Sequence, residues 1–515
     1  MRIRHTLTTA LAAVTLALAI HAADWPQYRG PVHDGSTTER IRTNWNVNPP
    51  RVLWRKSLSP GWSSIVVGGG RAFTQVRRVT GNVSKEFCVA LDAATGVELW
   101  SREVDTAAYS NLAGYDDNLD GPRSTPSIDG DRVFVLTSLL KLVCLRADTG
   151  AQVWRRDFVA EFPGTPVIEW QNAASPLVIG DLIHLNANVP GFRLTAVRKL
   201  DGGTAWRGQN DGMTHATPVW TVMGGVPQVV HLTASGMVSV EPASGAVLWR
   251  YPFTPSGTST AATPIASGDL VYASAAYGRG AWTARVRRAG EDFSVSETNF
   301  RQSTANQNHW ASPILHGGRI YSIVERSVRS LGCYDPIGRT NAWTTSVVGS
   351  RNPGYASLIK ADDTLVVLTE GGELVLVAPD PTAYREIARF QALTEYCWNH
   401  PVISNGRLYA RSSSEMVALE VGEPKVPFPA YRLAMSVSAP VGVLRVNVRS
   451  DSAAELPTDA GSRLTLQFAE TWRGVGTVWL DQSVTWTRSG PEWGTQIESP
   501  VNSRVFRVIE KGSNP

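Results

Sequence analysis

Three tryptophans, a tyrosine, a histidine and an arginine recur at one position of a repeating phrase in this 515-residue chain. Trp62, Arg123, His215, Trp310, Tyr355 and Trp398 each stand three residues before the proline, or its replacement, of a Ser/Thr-Pro phrase. Ala173 and Ala261 hold the same place in two further copies, and Asn172, Thr260, Asn308, His309 and Asn399 lie beside the set. Aromatic faces with a few polar groups suit a planar or sugar-like ligand, or a peptide. The alternative is a set of rings that only fills a channel. The candidate ligand-binding residues are therefore Trp62, Arg123, His215, His309, Trp310, Tyr355, Trp398 and Asn399. No catalytic residue is assigned. The chain has no Gly-x-Ser-x-Gly, no His-Glu-x-x-His and no phosphate loop. His215 and His309 could exchange protons, but nothing in the sequence pairs either with a carboxylate.

One run has metal-ligand spacing. Asp116, Asn118 and Asp120 alternate ahead of Gly121, which places three oxygen ligands before a sharp turn and suits Ca²⁺. The twelfth position is Ser127, so the bidentate Glu of a helix–loop–helix calcium site is missing. The same run also reads as a polar loop of turn formers. Cys88, Cys144, Cys333 and Cys397 are far apart, with no Cys-x-x-Cys pair. Three lie in apolar runs and read as buried free thiols.

The elements that must position these residues come from a repeat. The Ser/Thr-Pro phrase opens a β run, a Gly-containing turn and a second β run, in eight copies roughly 42 to 62 residues apart. A second phrase ends each unit: an apolar strand, a turn, then Trp four residues after the turn's Gly. Gly96 leads to Trp100, Gly150 to Trp154, Gly202 to Trp206 and Gly245 to Trp249, with Arg339 replacing Gly before Trp343. Gly supplies the positive φ that such turns need. A lone four-stranded unit cannot bury both faces, whereas units packed radially in a closed ring can. The sequence thus predicts an eight-bladed β-propeller over 51–421. The last blade lacks a Trp strand, and residues 51–58 around Trp54 are an orphan Trp strand, which predicts a clasp between the two ends of the ring. The outer-strand tryptophans read as packing between blades.

Outside the ring, residues 1–22 read as a cleaved export signal, with a basic start and the uncharged apolar run 7–20. Residues 23–50 form an N-terminal extension. The Pro-rich break at 424–429 ends the repeat, and strand-like runs over 430–511 predict a small C-terminal β-sandwich. The chain is 18% charged with a net charge of +4. Removing Arg2 and Arg4 leaves about +2, which gives no reason to expect nucleic acid or an anionic membrane surface.

The run 92–100, Asp-Ala-Ala-Thr-Gly-Val-Glu-Leu-Trp, resembles the signature of the pyrroloquinoline-quinone repeat family. The start at 24–31 (Asp-Trp-Pro-Gln-Tyr-Arg-Gly-Pro), the run 121–126 and the run 368–374 are similar to a secreted bacterial subgroup of it. The resemblance covers about residues 24–421 and implies the fold more than an activity, because the family spans quinoprotein dehydrogenases, an outer-membrane assembly lipoprotein and propellers without known chemistry. The adjacent Cys-Cys pair that resemblance to the dehydrogenases would require is absent, as are a haem attachment site and a lipidated Cys. The expectation is a monomeric binding module in the periplasm or outside the cell. It has no demonstrable catalysis and no membrane span after signal cleavage, and its partner is a small molecule, a glycan or an envelope protein. The alternatives are a pyrroloquinoline-quinone- and Ca²⁺-dependent alcohol or sugar dehydrogenase with a divergent site, and a scaffold for outer-membrane protein assembly.

Overall fold

The computed structural model describes residues 24–106, 109, 119–255, 260–301, 306–325, 327–338, 340–394 and 396–423, and seven strands between 431 and 510. The expected export signal lies outside them. The chain divides into two compact units, Met1–Glu423 and Pro424–Pro515.

The first unit is an eight-bladed β-propeller. Its innermost strands, in blade order 1 to 8, are Val66–Gly68, Ser127–Asp129, Leu177–Ile179, Val219–Met223, Ile265–Ser267, Ile314–His316, Ser357–Ala361 and Val402–Ser404. Blades 1 to 7 are antiparallel four-stranded meanders built outward from that strand, blade 7 with one further strand on its inner side, and blade 8 takes its outermost strand from ahead of blade 1 in the chain. Middle strands are buried on both faces, as in Thr364–Leu368 and Glu373–Val377 of blade 7, and their Val/Leu runs follow from that. Outer strands alternate, as in Thr340–Thr345 of blade 6. Neighbouring blades share one core: Val66, Phe73 and Ala90 of blade 1 meet Val133, Val135 and Leu145 of blade 2.

The clasp forms as expected. Arg51–Ser57 pairs antiparallel with Glu415–Glu420, from Arg51↔Glu420 to Ser57↔Glu415, and supplies the outer strand of blade 8. Arg411 pins the same seam. It is fully buried, and its guanidinium donates to Gly61 O (2.8 Å), Thr74 Oγ1 (2.6 Å), Gln75 O, Ser412 O and Ser413 O.

The outer-strand tryptophans do join blades. Trp54, Trp100, Trp154, Trp206 and Trp343 each donate Nε1 to a backbone carbonyl of the following blade, at Ala93, Ala147, Lys199, Pro242 and Asp380, over 2.7–3.1 Å. Four of these rings lie against the turn glycine of the next blade. A Cβ on Gly96, Gly150, Gly202 or Gly245 would fall 2.4–2.7 Å from Trp54, Trp100, Trp154 or Trp206. Trp249 differs: its Nε1 donates to Gln228 Oε1 within its own blade, because blade 5 replaces the Thr-Gly turn with the long hairpin Gly280–Ala289 and Asp292–Arg301. Every outer strand carries a β-bulge against its neighbour. In blade 2 the register shifts between Gln152 and Trp154, which re-aims the Trp toward the next blade.

Residues 24–42 are part of the ring. They pack along the innermost strands of the blades. Trp25 bridges Val67, Pro26 O accepts from Ile128 N, and the Gln27 amide bonds Val178. The Arg29 guanidinium donates to Pro313 O, and Ser36–Thr37 adds a parallel strand to blade 7. Glu39 accepts from the Asn405 and Gly406 amides of blade 8. This traverse ties blades 1, 2, 3, 6, 7 and 8, and His33 meets Trp220 of blade 4 with ring centroids 5.9 Å apart.

The second unit contains two antiparallel sheets. One orders Tyr431–Ser438, Val443–Ser450, Glu492–Glu498 and Thr487–Ser489; the other orders Leu480–Gln482, Leu464–Ala469 and Val505–Glu510. No helix among the described residues is long and apolar enough to cross a membrane.

Candidate functional site at the channel mouth

The repeated position before each innermost strand becomes a ring at one mouth. Trp62, Arg123, Ala173, His215, Ala261, Trp310 and Trp398 stand four residues ahead of their strands, and Tyr355 two ahead of its longer one. Blades 6, 7, 8 and 1 bring four rings into contact. Trp310 stacks on Tyr355 with centroids 4.1 Å apart, and Trp398 stacks on Trp62 at 4.3 Å. The two pairs meet through Trp310 and Trp398 at 5.2 Å, and Tyr355 meets Trp398 edge-on at 5.8 Å. All four are partly exposed.

Two carboxylates fix the central indoles. Asp120 accepts from Trp62 Nε1 at 3.1 Å, and Glu370 accepts from Trp398 Nε1 at 2.7 Å and from the Tyr355 amide at 3.3 Å. Arg123 joins the arc through Asp120, its guanidinium 2.9 Å from Oδ1, and also donates to Trp170 O. The carbonyl beside it, Glu169 O, lies 2.8 Å from His215 Nε2. Trp170 and Gln171, at φ +67° and +63°, turn those carbonyls toward the ring. Burial pushes the His215 imidazole down to about 4, so it is neutral at physiological pH. His215 is 4% exposed and Asn399 5%. Asn399 Nδ2 donates to Ser63 O at 3.4 Å in the seam between blades 8 and 1.

His309 completes the arc beside Trp310 (4.4 Å) and Tyr355 (5.4 Å). The fold supplies the carboxylate that the sequence did not pair with it: Glu325 Oε2 is 3.5 Å from His309 Nδ1. Tyr277 Oη lies 3.1 Å from Nε2. His309, Trp310, Glu325, Arg329 and Tyr355 line one cavity, with Arg329 Cζ 3.3 Å from the Tyr355 centroid. Sequence reasoning missed Tyr277, Glu325, Arg329 and Glu370. Only Glu370 had a signal, its place in the 368–374 phrase.

Of the three candidate calcium ligands only Asp120 is among the described residues. Ca²⁺ takes six to eight oxygen ligands. The Asp120 carboxylate is committed to Trp62 and Arg123, and no group of three His, Cys, Asp or Glu gathers for a metal among the described residues. Asp116 and Asn118 lie outside them. All four cysteines are buried, and none is in a disulfide among the described residues.

A closed ring of eight four-stranded blades, docked Trp to Gly and fronted by an aromatic mouth, defines a propeller of the quinoprotein-repeat class. The chain belongs to the family described as outer membrane protein assembly factor BamB, whose family model matches residues 84–345. Among solved structures it is similar to quinohemoprotein alcohol dehydrogenase from Comamonas testosteroni, at 14% identity, TM-score 0.54, over 81% of this chain and 83% of that one. It is also similar to quinohemoprotein alcohol dehydrogenase ADHIIG from Pseudomonas putida HK5, at 12% identity, TM-score 0.51, over 81% and 84%. BamB from Moraxella catarrhalis matches at 14% identity and TM-score 0.48, over 73% of this chain and 99% of its own. No curated protein sequence matches.

Proposed function

We propose that the chain is a ligand-binding propeller of the cell envelope, periplasmic or extracellular, that holds a planar or sugar-like ligand at its mouth. The observation behind this reading is the gathering of Trp62, Trp310, Tyr355 and Trp398, from four blades, linked by ring contacts of 4.1–5.8 Å that meet at Trp398 and Trp310. A propeller needs only small residues where its inner strands begin. Indole N–H groups tied to Asp120 and Glu370 keep their rings oriented before a ligand arrives, which lowers the ordering cost of binding.

Trp310→Ala should weaken binding of a mouth ligand about tenfold or more, as read by affinity electrophoresis over a panel of neutral and acidic polysaccharides. Equal retardation of wild type and variant on every polymer retained would contradict the mouth as the site. The family's description favours a second reading, a scaffold in outer-membrane protein assembly. If partners dock on the outer face, Trp310→Ala and Arg123→Ala should both leave capture of envelope proteins unchanged.

A further inference from the structure

Two histidines share the seam between blades 3 and 4. His184 stands on Leu182–Asn186 of blade 3, between its register partners Leu177 and Ala196. His231 stands on Val226–Thr233 of blade 4, opposite Val238 and two residues from Val229. Opposed residues of an antiparallel pair, and residues two apart on one strand, lie on the same face of a sheet. Leu177, Ala196, Val229 and Val238 belong to one apolar cluster, so both imidazoles point into the same interface. His184 is fully buried and His231 is 3% exposed. Both ring nitrogens of His184 and Nε2 of His231 have no hydrogen-bond partner among the described residues. Trp206 docks blade 3 to blade 4 at this seam through Pro242 O (2.7 Å), and its ring centroid is 5.8 Å from that of His184.

A neutral imidazole is tolerated in such a place, whereas a charged one needs water or a counter-ion. The surrounding charges are committed elsewhere. Glu241 is the acid that faces His184, and its carboxylate accepts from the Ala243 and Ser244 amides. His231 faces His184 itself. On the strands packed around the pair, Arg198 is held by Asp201, Arg207 lies over the Phe192 ring and Arg250 is held by Asp211. Lys199, in the turn of blade 3, lies between Asp129 and Asp181. His215, at the mouth end of the seam, differs: its Nε2 is 2.8 Å from Glu169 O, so a proton there keeps a partner.

We propose that the seam between blades 3 and 4 is an acid-operated joint: protonation of His184 and His231 puts two like charges into one apolar interface and parts the two blades there, while other seams stay closed. No strand of blades 1, 2 or 7 carries a histidine. The joint borders the mouth, since Glu169 O meets His215 and the next carbonyl, Trp170 O, accepts from Arg123. Burial pushes His184 down to about 4 and His231 to about 3, below the value of about 6.5 for a wet imidazole. The closed seam is therefore favoured fully above pH 6.5, and that advantage is lost as pH falls toward the folded values. At pH 5 each histidine should raise the open population about thirtyfold over that at neutral pH.

The test uses the whole protein with Val238→Cys as a reporter in this seam, or Val229→Cys should the first variant not fold. Cys88, in the cluster between blades 1 and 2, and Cys333, in that between blades 6 and 7, report on other seams. Thiols are labelled with a pyridyl disulfide, which reacts in mild acid, and peptide mass mapping assigns each label. Rates at pH 7 and pH 5 are divided by those of a free thiol. The reporter should react about a hundredfold or more faster at pH 5, with Cys88 and Cys333 unchanged. His184→Leu keeps the seam apolar and should lower the acceleration about thirtyfold; His231→Leu should do the same. Acceleration of Cys88 and Cys333 in step with the reporter would show the whole ring unfolding and overturn the joint. A reporter no faster at pH 5, or one whose acceleration survives both leucine variants, would also overturn it.

Discussion

Arg411 shows how a single side chain can hold a ring closed. Burial pushes its guanidinium down to about 9, yet it stays charged at neutral pH because backbone carbonyls and Thr74 surround it. Gly61, Thr74 and Gln75 belong to blade 1, Ser412 and Ser413 to blade 8, so one residue crosses the seam where the chain's ends meet. Arg411→Met keeps much of the volume but strands these acceptors, and should cost about 3–5 kcal/mol, read as a lowered midpoint in urea unfolding. An unchanged midpoint would show that the clasp strand alone closes the ring. The aromatic mouth was legible in the sequence because one repeat position held six large or charged side chains. The partners that orient it were not. Asp120 read as a calcium ligand, and Glu325 and Tyr277 had no local signal, since the fold brings them to His309 from other loops.

At the scale of elements, the Thr-Gly turn and the Trp strand form one device repeated around the ring. The turn glycine has positive φ and no Cβ, so the preceding blade's indole can lie on its backbone and donate to a carbonyl there. Gly150→Ala puts a methyl 2.6 Å from Trp100 at φ +67°. It should cost about 1–3 kcal/mol and redden Trp100 emission, whereas Gly130→Ala, with the same positive φ but no neighbour, should cost only the backbone strain. Equal costs would mean that the close ring contact carries no energy. This device could be read from the Gly-to-Trp spacing, and so could the clasp, from one orphan Trp strand. The bulges could not, because an extra residue in a strand leaves no compositional mark. The Trp249 exception was also hidden: its spacing is regular, and the change lies in the following blade.

For the whole molecule, buried histidines set the response to acid. Burial pushes His33, His184 and His215 down to about 4, and His231 and His400 to about 3. Each lies below the unfolded value of about 6.5. Their contribution is therefore complete above pH 6.5 and is lost as pH falls toward the folded values. By about pH 5 each should have cost on the order of 1–2 kcal/mol. Glu86, raised by burial, works in the opposite direction. Neither ring nitrogen of the fully buried His184 has a hydrogen-bond partner among the described residues. His184→Leu should flatten the fall of melting temperature between about pH 7 and pH 5, and an unaltered slope would contradict this assignment. The N-terminal traverse belongs to this scale too. As sequence it is an extension; in three dimensions it touches seven of the eight blades.

The most direct measurement is a tryptophan-fluorescence titration of the purified protein with acidic and neutral glycans and, separately, with pyrroloquinoline quinone with and without Ca²⁺, accompanied by dye-linked oxidation of alcohols and aldose sugars. Saturable quenching by a glycan, lost in Trp310→Ala, with no dye reduction after quinone and Ca²⁺ are added, is the result expected of a binding mouth. Saturable quenching by the quinone together with dye reduction would contradict it and make the ring of Trp62, Trp310, Tyr355 and Trp398 the pocket of a redox enzyme.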